Sequence, residues 1–240
     1  MPVIERITVP TDRLPNGLRL AFAADFHIRA HTSPDYIAKL CAALGSTGAD
    51  MLLLGGDYGE TPSAACNFFD ALAPFAFPQG VYAVAGNNDR ECFPSYADFR
   101  QAARVPVLIN ETAHIRVQNK ILEIGGVDEL KHGKPDARRL FSAQADYRIL
   151  LSHYPVIPSF GKGAPADLIL SGHSHGGQVN LWGFTSYTLG IERDKAAHVA
   201  GMRVYGDLRL LVTTGIGMSK LPIRIGAKPR IHLISFEKPE

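Results

Sequence analysis

The sequence predicts an α/β fold in which two β-sheets form one layered domain covering residues 1–240. Short apolar runs that end in glycine or a polar residue are typical of buried strands. In the first third of the chain these runs alternate with segments of helical apolar spacing, which indicates βαβ units and a parallel sheet. In residues 115–127, and again from residue 179 onward, short strands with turn signals indicate a second, more antiparallel sheet.

The first sheet is predicted from three apolar runs, at residues 18–24, 51–54 and 81–85. Residues 34–44 form a helix candidate between the first two runs, because they follow Ser33, a favourable N-cap, and begin with proline. Residues 63–72 form a second helix candidate before the third run. Consecutive runs start about 30 residues apart, which is the usual length of a βαβ unit.

The later part of the chain contains four more strand candidates. Two apolar runs occupy residues 148–152 and 167–171, and residues 208–213 and 231–236 are predicted to belong to the second sheet. No linker rich in serine, proline or glycine divides the chain, which favours a single domain.

Composition and charge exclude several classes of function. The chain has 46% hydrophobic and 20% charged residues and a formal net charge of +2, without a lysine or arginine tract, so specific nucleic-acid binding is not expected.

Cys41, Cys66 and Cys92 form no Cys-x-x-Cys pair, which argues against a disulfide framework and for a reducing compartment. Residues 1–13 lack the pattern of a signal peptide, and no run has transmembrane length. We therefore expect a cytoplasmic protein, either free or peripheral to a membrane.

Each of the five apolar runs ends in residues that commonly ligate metals. These residues are Asp25 and His27, Asp57, Asn87, His153, and His173 with His175. In open α/β sheets, ligands bind beyond the carboxyl ends of the strands, so side chains that follow separate strands can converge. Each residue alone is equally typical of a cap or a turn, and the joint set carries the prediction.

The ligand types indicate two transition-metal ions. Carboxylate, amide and imidazole donors without thiolate suit Mn, Fe, Zn or Co better than Ca or Mg. Two such ions about 3.5–4 Å apart would clamp the attacking and leaving oxygens of a displacement at phosphorus. A hydroxide held between them is the expected nucleophile.

At these residues the chain resembles the calcineurin-like metallophosphoesterase family. The family pattern is Asp-x-His, Gly-Asp, Gly-Asn-His-Asp/Glu, a lone His and Gly-His-x-His, and the match runs from Asp25 to His175. The resemblance implies a four-layer αββα sandwich of two mixed sheets flanked by helices. It also implies one metal on Asp25, His27 and His175, a second on Asn87, His153 and His173, and Asp57 as the bridge.

Two further stretches resemble the bacterial branch that is often called YaeI/YkuE-like. They are residues 172–178, Gly-His-Ser-His-Gly-Gly-Gln, and residues 214–224, Thr-Gly-Ile-Gly-Met-Ser-Lys-Leu-Pro-Ile-Arg. The branch includes phosphodiesterases and pyrophosphohydrolases of UDP-2,3-diacylglucosamine, so the resemblance implies these substrate classes.

One position departs from the family pattern. Asn88 stands where many members have a histidine that steadies the transition state and protonates the departing oxygen. An amide can donate a hydrogen bond but has no proton to give at neutral pH. We therefore expect a phosphodiester or pyrophosphate substrate rather than a phosphomonoester, unless His31 or His198 replaces the missing group.

Catalytic and substrate-binding roles are predicted for residues near the ligands. Asn88 would donate to a phosphoryl oxygen, Asp89 would orient a ligand histidine, and Arg90 would clamp a phosphate, or remain a solvated surface residue. Arg224 is a similar candidate for a phosphate clamp. Trp182 and Phe184 are expected to close the core, and alternatively to face a base or an acyl chain.

Three functions remain open from the sequence. The leading one is a dinuclear metal-dependent phosphodiesterase or pyrophosphohydrolase acting on a small molecule. The second is a pyrophosphohydrolase of a UDP-2,3-diacylglucosamine-type lipid precursor at a membrane surface, which an exposed apolar patch near 181–184 or 221–225 would favour. The third is a non-catalytic scaffold, although the complete ligand set argues against it. The irregular stretches 161–165 and 181–199 are predicted to be loops at the site mouth, and the sequence predicts no oligomeric state.

Overall fold

Two mixed β-sheets stack face to face in the computed structural model, which describes residues 1–155, 166–182, 184–185, 198–219 and 222–239. The strands of the described residues are, in chain order, β1 (Val3–Pro10), β2 (Arg19–Ala23), β3 (Met51–Leu54), β4 (Val81–Ala83), β5 (Glu111–Val117), β6 (Lys120–Gly126), β7 (Tyr147–Leu151), β8 (Leu168–Ser171), β9 (Gly201–Tyr205), β10 (Leu208–Val212) and β11 (Arg230–Glu237). Their α-helices are α1 (Pro34–Gly45), α2 (Pro62–Leu72), α3 (Asn87–Cys92) and α4 (Tyr96–Ala103). The predicted class of two mixed sheets flanked by helices is confirmed.

The first sheet has the strand order β1-β11-β2-β3-β4. Strands β2, β3 and β4 are parallel, and α1 and α2 connect them as the βαβ spacing predicts. Both helices have side-chain N-caps: the Ser33 hydroxyl accepts from the Tyr36 N–H, and the Thr61 hydroxyl accepts from the Ala64 N–H. Each helix also has a proline at its start, which explains why the helix candidates could be located from the sequence.

The place of residues 231–236 differs from the expectation. They lie in β11, which joins the first sheet between β1 and β2 rather than the second sheet. The physical reason is that β11 is apolar on both faces, with Ile231 and Leu233 toward the helices and Ile234 and Phe236 toward the other sheet. A strand of this kind needs cover on both faces, and an interior position in the first sheet supplies it.

The second sheet has the order β5-β6-β7-β8-β10-β9, and its centre is parallel. Strands β6, β7, β8 and β10 run parallel, and only the edge pairs β5–β6 and β9–β10 are antiparallel. The second sheet thus has two antiparallel pairs where the first sheet has one, as predicted, but these pairs lie at its edges and its centre is parallel. The connection from β6 to β7 is a loop without a helix, so it lacks the signal that identifies a parallel crossover.

Two large apolar clusters hold these layers together. The cluster between the sheets contains alternate residues of the facing strands, such as Phe22 and Leu53 from the first sheet and Ile149 and Leu170 from the second. The outer cluster packs helices α1 to α4 on the other face of the first sheet. The described outer face of the second sheet is covered by the loop after β6, through residues such as Leu140.

Three further predictions from the sequence concern the two irregular loops, the state of the cysteines and the presence of a membrane-spanning helix. Residues 161–165 lie outside the described residues, as does most of the stretch 181–199. Cys41, Cys66 and Cys92 are free thiols. Among the described residues, no helix is long and apolar enough to cross a bilayer.

The outer cluster generates a stability prediction. Phe68 is fully buried, and its ring centroid lies 4.4 Å from that of Phe26 and 5.9 Å from that of Tyr58. Phe68→Ala should lower the free energy of unfolding by about 3–5 kcal/mol, because it removes the burial and leaves a cavity. Phe184, which is 64% exposed, gives the control: Phe184→Ala should change the value by less than about 0.5 kcal/mol. Urea denaturation measures both, and equal effects would contradict the proposed core.

Candidate metal centre

The predicted ligand residues gather where the carboxyl edges of the two sheets meet. Asp25 and His27 follow β2, Asp57 follows β3, and Asn87 opens α3 just beyond β4. From the second sheet, His153 follows β7, and His173 and His175 follow β8. Both sheets therefore supply side chains to the same place.

One group of side chains consists of Asp25, His27 and His175, all of which are buried. The Nε2 atoms of His27 and His175 are 3.1 Å apart, and His175 Nε2 lies 3.7 Å from Asp25 Oδ1. Two nitrogens that each lie about 2.1 Å from one ion, at right angles, are about 3 Å apart. The distance between the imidazoles therefore fits two ligands of one cation.

A second group contains Asp57 and His153, with Asp25 close to both. The Oδ2 atom of Asp57 lies 3.4 Å from His27 Nε2 and 3.4 Å from His153 Nε2. This oxygen is thus equally distant from a nitrogen of each group. A carboxylate in that position can bind two cations at once.

Asn87 and His173 complete the second group. Asn87 Oδ1 lies 3.1 Å from His173 Nδ1 and accepts a hydrogen bond from the Tyr154 hydroxyl at 3.4 Å. The ring centroids of His173 and His153 are 5.3 Å apart. The structure therefore brings together all seven side chains that the sequence predicts as ligands.

The tautomer of His153 leaves one nitrogen for a cation. Its Nδ1 lies 2.8 Å from the carbonyl oxygen of Gly55 and can only donate to it. Its Nε2 is buried and, among the described residues, makes no hydrogen bond. A buried imidazole nitrogen of this kind is costly unless something binds its lone pair, so His153 fits a metal ligand.

Glu60 holds His27 and was not predicted from the sequence. Its Oε1 atom lies 2.7 Å from His27 Nδ1, so the carboxylate accepts the Nδ1–H and leaves Nε2 free to bind a cation. Hydrogen bonds from His27 and from the Asn88 side chain lower the pKa of Glu60. The only signal in the sequence is that Glu60 follows Asp57 by three residues in the same loop.

The backbone at the site is held in an uncommon conformation. Five of the seven candidate ligands have left-handed φ angles: Asp25, His27, Asp57, His173 and His175. A non-glycine residue in this region costs about 1–3 kcal/mol. The loops hold one another there, since the His27 N–H donates to the Asp57 carbonyl and the His173 N–H donates to the Asp25 carboxylate.

Gly86 lets the third ligand loop approach Asp57 closely. A Cβ atom at Gly86 would lie 2.0 Å from Asp57 Oδ1, a distance at which the carboxylate would have to move. The glycine before Asn87 is therefore required by the packing of a ligand carboxylate against the main chain.

Burial and charge together shift the pKa values of the site. Burial raises the pKa of Asp25. Burial opposes protonation of His153, but the carboxylates of Asp57 and Asp25 outweigh it and raise the pKa of His153 to about 10. Burial and the neighbouring His27 and Arg224 lower the pKa of His175 well below its usual value. Positive charge is thus favoured at His153, which faces the carboxylate of Asp57, and disfavoured at His175, which faces His27 and Arg224.

Asp89 contacts the main chain of the ligand loops rather than an imidazole. Its Oδ2 accepts the N–H groups of Gly86 and Asp57, each at 2.8 Å, and its Oδ1 accepts the Tyr58 N–H at 3.0 Å. Burial, together with the charge of Asp57, raises the pKa of Asp89 to about 7. The expectation that Asp89 orients a ligand histidine therefore does not fit its contacts, since its carboxylate accepts main-chain N–H groups of the ligand loops.

Arg90 and Arg224, the two candidate phosphate clamps, lie in different surroundings. The Arg90 guanidinium lies 4.3 Å from the centroid of the Tyr96 ring, and its buried Nε has no hydrogen-bond partner among the described residues. Arg224 instead donates to the carbonyl oxygens of Gly217, Thr214 and Ala227. Its Nη2 also lies 3.3 Å from His175 Nδ1. Arg224 therefore fastens its loop to the site instead of facing an open space.

The expectation that Trp182 and Phe184 close the core is wrong. Trp182 is 95% exposed and Phe184 is 64% exposed. They lie in a tight turn, where the chain reverses before it can reach the interior. The backbone hydrogen bonds of Leu181 and Phe184 close this turn.

Comparison with known proteins supports the family indicated by these residues. The model of the calcineurin-like phosphoesterase family matches residues 18–177. Phosphodiesterase YaeI of Escherichia coli (strain K12) is 28% identical over 224 residues, which cover 91% of this chain and 82% of that protein. The uncharacterized protein YpbG of Bacillus subtilis (strain 168) is 30% identical over 93% of this chain and 82% of its own length. Among solved structures, a purple acid phosphatase from yellow lupin seeds has a TM-score of 0.48 at 10% identity, covering 95% of this chain and 55% of that one.

The contacts of Asp89 generate a second prediction. Asp89→Asn keeps one acceptor oxygen, so at least one backbone N–H of the ligand loops loses its partner. The free energy of unfolding should fall by about 1–3 kcal/mol for each N–H that is left unpaired. Urea denaturation of both proteins measures the change. Asp12→Asn, at an exposed carboxylate, is the matched control, and equal stability of the two variants would contradict the role of Asp89.

Proposed function

The chain belongs to the calcineurin-like phosphoesterase family, whose members are metal-dependent phosphoesterases with a dinuclear metal centre, and we propose that this member hydrolyses a phosphodiester or pyrophosphate bond. The observation that carries the proposal is the position of Asp57 Oδ2, 3.4 Å from an imidazole nitrogen of each candidate group. One acceptor oxygen shared by two sets of ligands is the arrangement that a pair of neighbouring cations needs.

The ligand assignment that the family resemblance implies is supported by the distances at the site. One cation is assigned to Asp25, His27 and His175, and the other to Asn87, His153 and His173. Asp57 bridges them. Mn, Fe and Zn all suit this mixture of oxygen and nitrogen donors. Bound there, the two ions would neutralise phosphoryl charge and lower the pKa of water enough to supply a hydroxide nucleophile.

Hydrogen bonds from neighbouring groups orient the ligand side chains toward the cation sites. Glu60 accepts the Nδ1–H of His27, and the Gly55 carbonyl accepts that of His153, so that Nε2 of each ring is the nitrogen that faces the cation site. The Asn88 N–H donates to Asp57 Oδ1 at 2.9 Å, which leaves Oδ2 toward the imidazoles. Asp89 acts as a positioning residue because it fixes the main chain on both sides of the bridge.

Asn88 is the reason to favour a diester or pyrophosphate. Its side chain lies against Glu60 and has no proton to give to a departing oxygen. A group that departs with little protonation, as a phosphorylated or acidic leaving group does, tolerates this loss better than an alkoxide. The name of the Escherichia coli relative, a phosphodiesterase, is in keeping with this preference.

Arg90 is proposed to bind a further charged group of the substrate. It follows Asn87 by three residues on α3, so the two side chains lie on one side of the helix. The Tyr96 ring supports the guanidinium from one face and leaves its edge available to an anion. A substrate phosphoryl group at Asn87 would therefore have a second anion-binding group beside it.

A lipid-linked substrate is the second candidate, as in the UDP-2,3-diacylglucosamine class. The observation that favours it is a set of exposed apolar side chains, Leu181, Trp182 and Phe184, on the segment that follows His175. A scaffold without activity is less favoured, because all seven ligand positions hold ligand-type residues that lie together. The free cysteines agree with the cytoplasmic location that we propose.

Hydrolysis of two chromogenic substrates tests the proposed function. Protein stripped of metal and then given Mn²⁺ should hydrolyse bis-p-nitrophenyl phosphate, with little turnover of p-nitrophenyl phosphate. Asp57→Asn should lower both bound metal and diester turnover, the latter by about 10²-fold or more, because one shared ligand charge is lost. Asp12→Asn should behave as the wild type. If Asp57→Asn kept its full metal content and turnover, the assignment of Asp57 as the ligand shared by both cations would be wrong.

Asn88→His tests the basis of the diester preference. The imidazole restores a group that can protonate the leaving oxygen, and a general acid typically contributes about 10²–10⁴-fold. The ratio of monoester to diester turnover should therefore rise, most clearly with alkyl phosphates, whose leaving groups are poor. Steady-state kinetics on both substrate classes measures the ratio, and an unchanged ratio would show that Asn88 does not set it.

A further inference from the structure

One aromatic side chain contacts all three residues that share the cation assigned to Asn87, His153 and His173, which we call the second cation. This residue is Tyr154, which follows His153 directly and is buried. Its hydroxyl donates to Asn87 Oδ1 at 3.4 Å, and its ring centroid lies 3.8 Å from that of His173 and 5.5 Å from that of His153. Since the three ligands follow different strands, a residue that contacts all of them can fix their relative positions.

The contact with Asn87 acts on the orientation of the amide group. An amide presents an acceptor oxygen on one side and an NH2 group on the other, and only the oxygen can bind a cation. A hydroxyl that donates to Oδ1 occupies one of its two lone pairs and leaves the other for a cation. The same oxygen lies 3.1 Å from His173 Nδ1, a distance that fits two ligand atoms of one cation. The Tyr154 hydroxyl therefore holds the amide with its oxygen toward the site.

The contact with His173 restricts rotation of the imidazole. The planes of the two rings are 30° apart, so the Tyr154 ring covers one face of the imidazole. His173 is only half-buried, and this packing keeps its Nδ1 directed at Asn87 instead of toward solvent. The ring of His153 meets that of Tyr154 edge-on, at 83°, so the same tyrosine packs against both imidazoles.

Tyr154 can serve as a fixed support because its main chain is anchored. The hydroxyl of Ser152, a buried residue, donates to the Tyr154 carbonyl at 2.8 Å. The Gly172 N–H donates to the His153 carbonyl at 3.0 Å, which joins the ends of β7 and β8. Tyr154 and His173 are therefore carried by two strand ends that are bonded to each other.

The ligands of the first cation are held by a different residue, since Glu60 accepts the Nδ1–H of His27. We propose that Tyr154 is a positioning residue that sets the affinity of the second cation. The proposal rests on the proposed function, because it needs two cations at the assigned ligands. Removal of a group that orients a metal ligand typically lowers metal affinity by about 10–100-fold.

Manganese binding tests the proposal. Metal-free protein is titrated with Mn²⁺ in a calorimeter, and electron paramagnetic resonance distinguishes two neighbouring ions, whose spins couple, from a single bound ion. The wild type should bind two ions and show the coupled signal. Tyr154→Phe keeps the ring and loses the hydroxyl, so one of the two binding steps should weaken about tenfold or more. The signal of a single ion should then appear at Mn²⁺ concentrations at which the wild type shows the pair. Tyr154→Leu, which also loses the ring, should weaken the same step further.

Tyr147→Phe is the matched control. Tyr147 is fully buried at the start of β7, the strand that leads to Tyr154, and its hydroxyl has no hydrogen-bond partner in the part of the chain that the structure describes. This variant should bind both ions as the wild type does. Unfolding midpoints of the metal-free variants verify that they are folded. Unchanged binding in Tyr154→Phe, or equal weakening of both steps, would overturn the proposal.

Glu60→Ala shows which cation is affected. It removes the group that orients His27, so it should weaken the other binding step, and the double variant with Tyr154→Phe should have both steps weakened. If the double variant kept one step as tight as in the wild type, both residues would act on the same cation, and the assignment of Tyr154 to the second one would be wrong.

The same measurements separate this proposal from the proposed function. Two bound Mn²⁺ ions without phosphodiester hydrolysis, together with a selective loss of one ion in Tyr154→Phe, would refute the proposed function alone. Wild-type protein that binds fewer than two ions would refute the dinuclear assignment and the role of Tyr154 with it.

Discussion

The carboxylate of Asp57 is the constraint on which the candidate metal centre depends. Its Oδ2 lies between the imidazoles of His27 and His153, and its Oδ1 accepts the Asn88 N–H. Its own N–H donates to Asp89, and its carbonyl accepts the His27 N–H. Four loops therefore meet at one residue. The left-handed backbone at Asp57 is maintained because each of these contacts would be lost if the residue relaxed.

The strain of the ligand loops is offset by the packing of the layers beneath them. Left-handed backbone at five ligand residues is unfavourable by about 1–3 kcal/mol at each of them. The last residues of the strands that carry these loops are buried between the sheets or under the helices, as Leu54 and Leu151 are. A rigid base of this kind holds loop ends in positions that the loops alone would not adopt. The fold thus positions the chemistry by fixing the strand ends.

The sequence predicts those features whose signals are local. The runs before Asp25, Asp57 and His153 are recognisable as strands because apolar residues end abruptly in polar ones, and helix α1 is recognisable from its cap and proline. The place of β11 is not predictable in this way, since its pairing with β1 joins residues that are more than 220 positions apart, as Val3 and Arg230 are. Glu60 has no local signal either, because its role arises only from contact with His27. Aromatic side chains are usually buried, so the sequence predicts a buried Trp182. The structure shows it exposed, because the geometry of the turn outweighs this preference.

The position of β11 has a consequence for biosynthesis. This strand lies between β1 and β2 in the first sheet, yet it is synthesised after all the other strands that the structure describes. Until then, β1 has no partner in its sheet, and the adjacent edge of β2 remains open. Open strand edges are sites of misassociation in nascent chains. The first sheet is therefore expected to close only after β11 has been synthesised, and the interval before that is when the chain most needs protection by a chaperone.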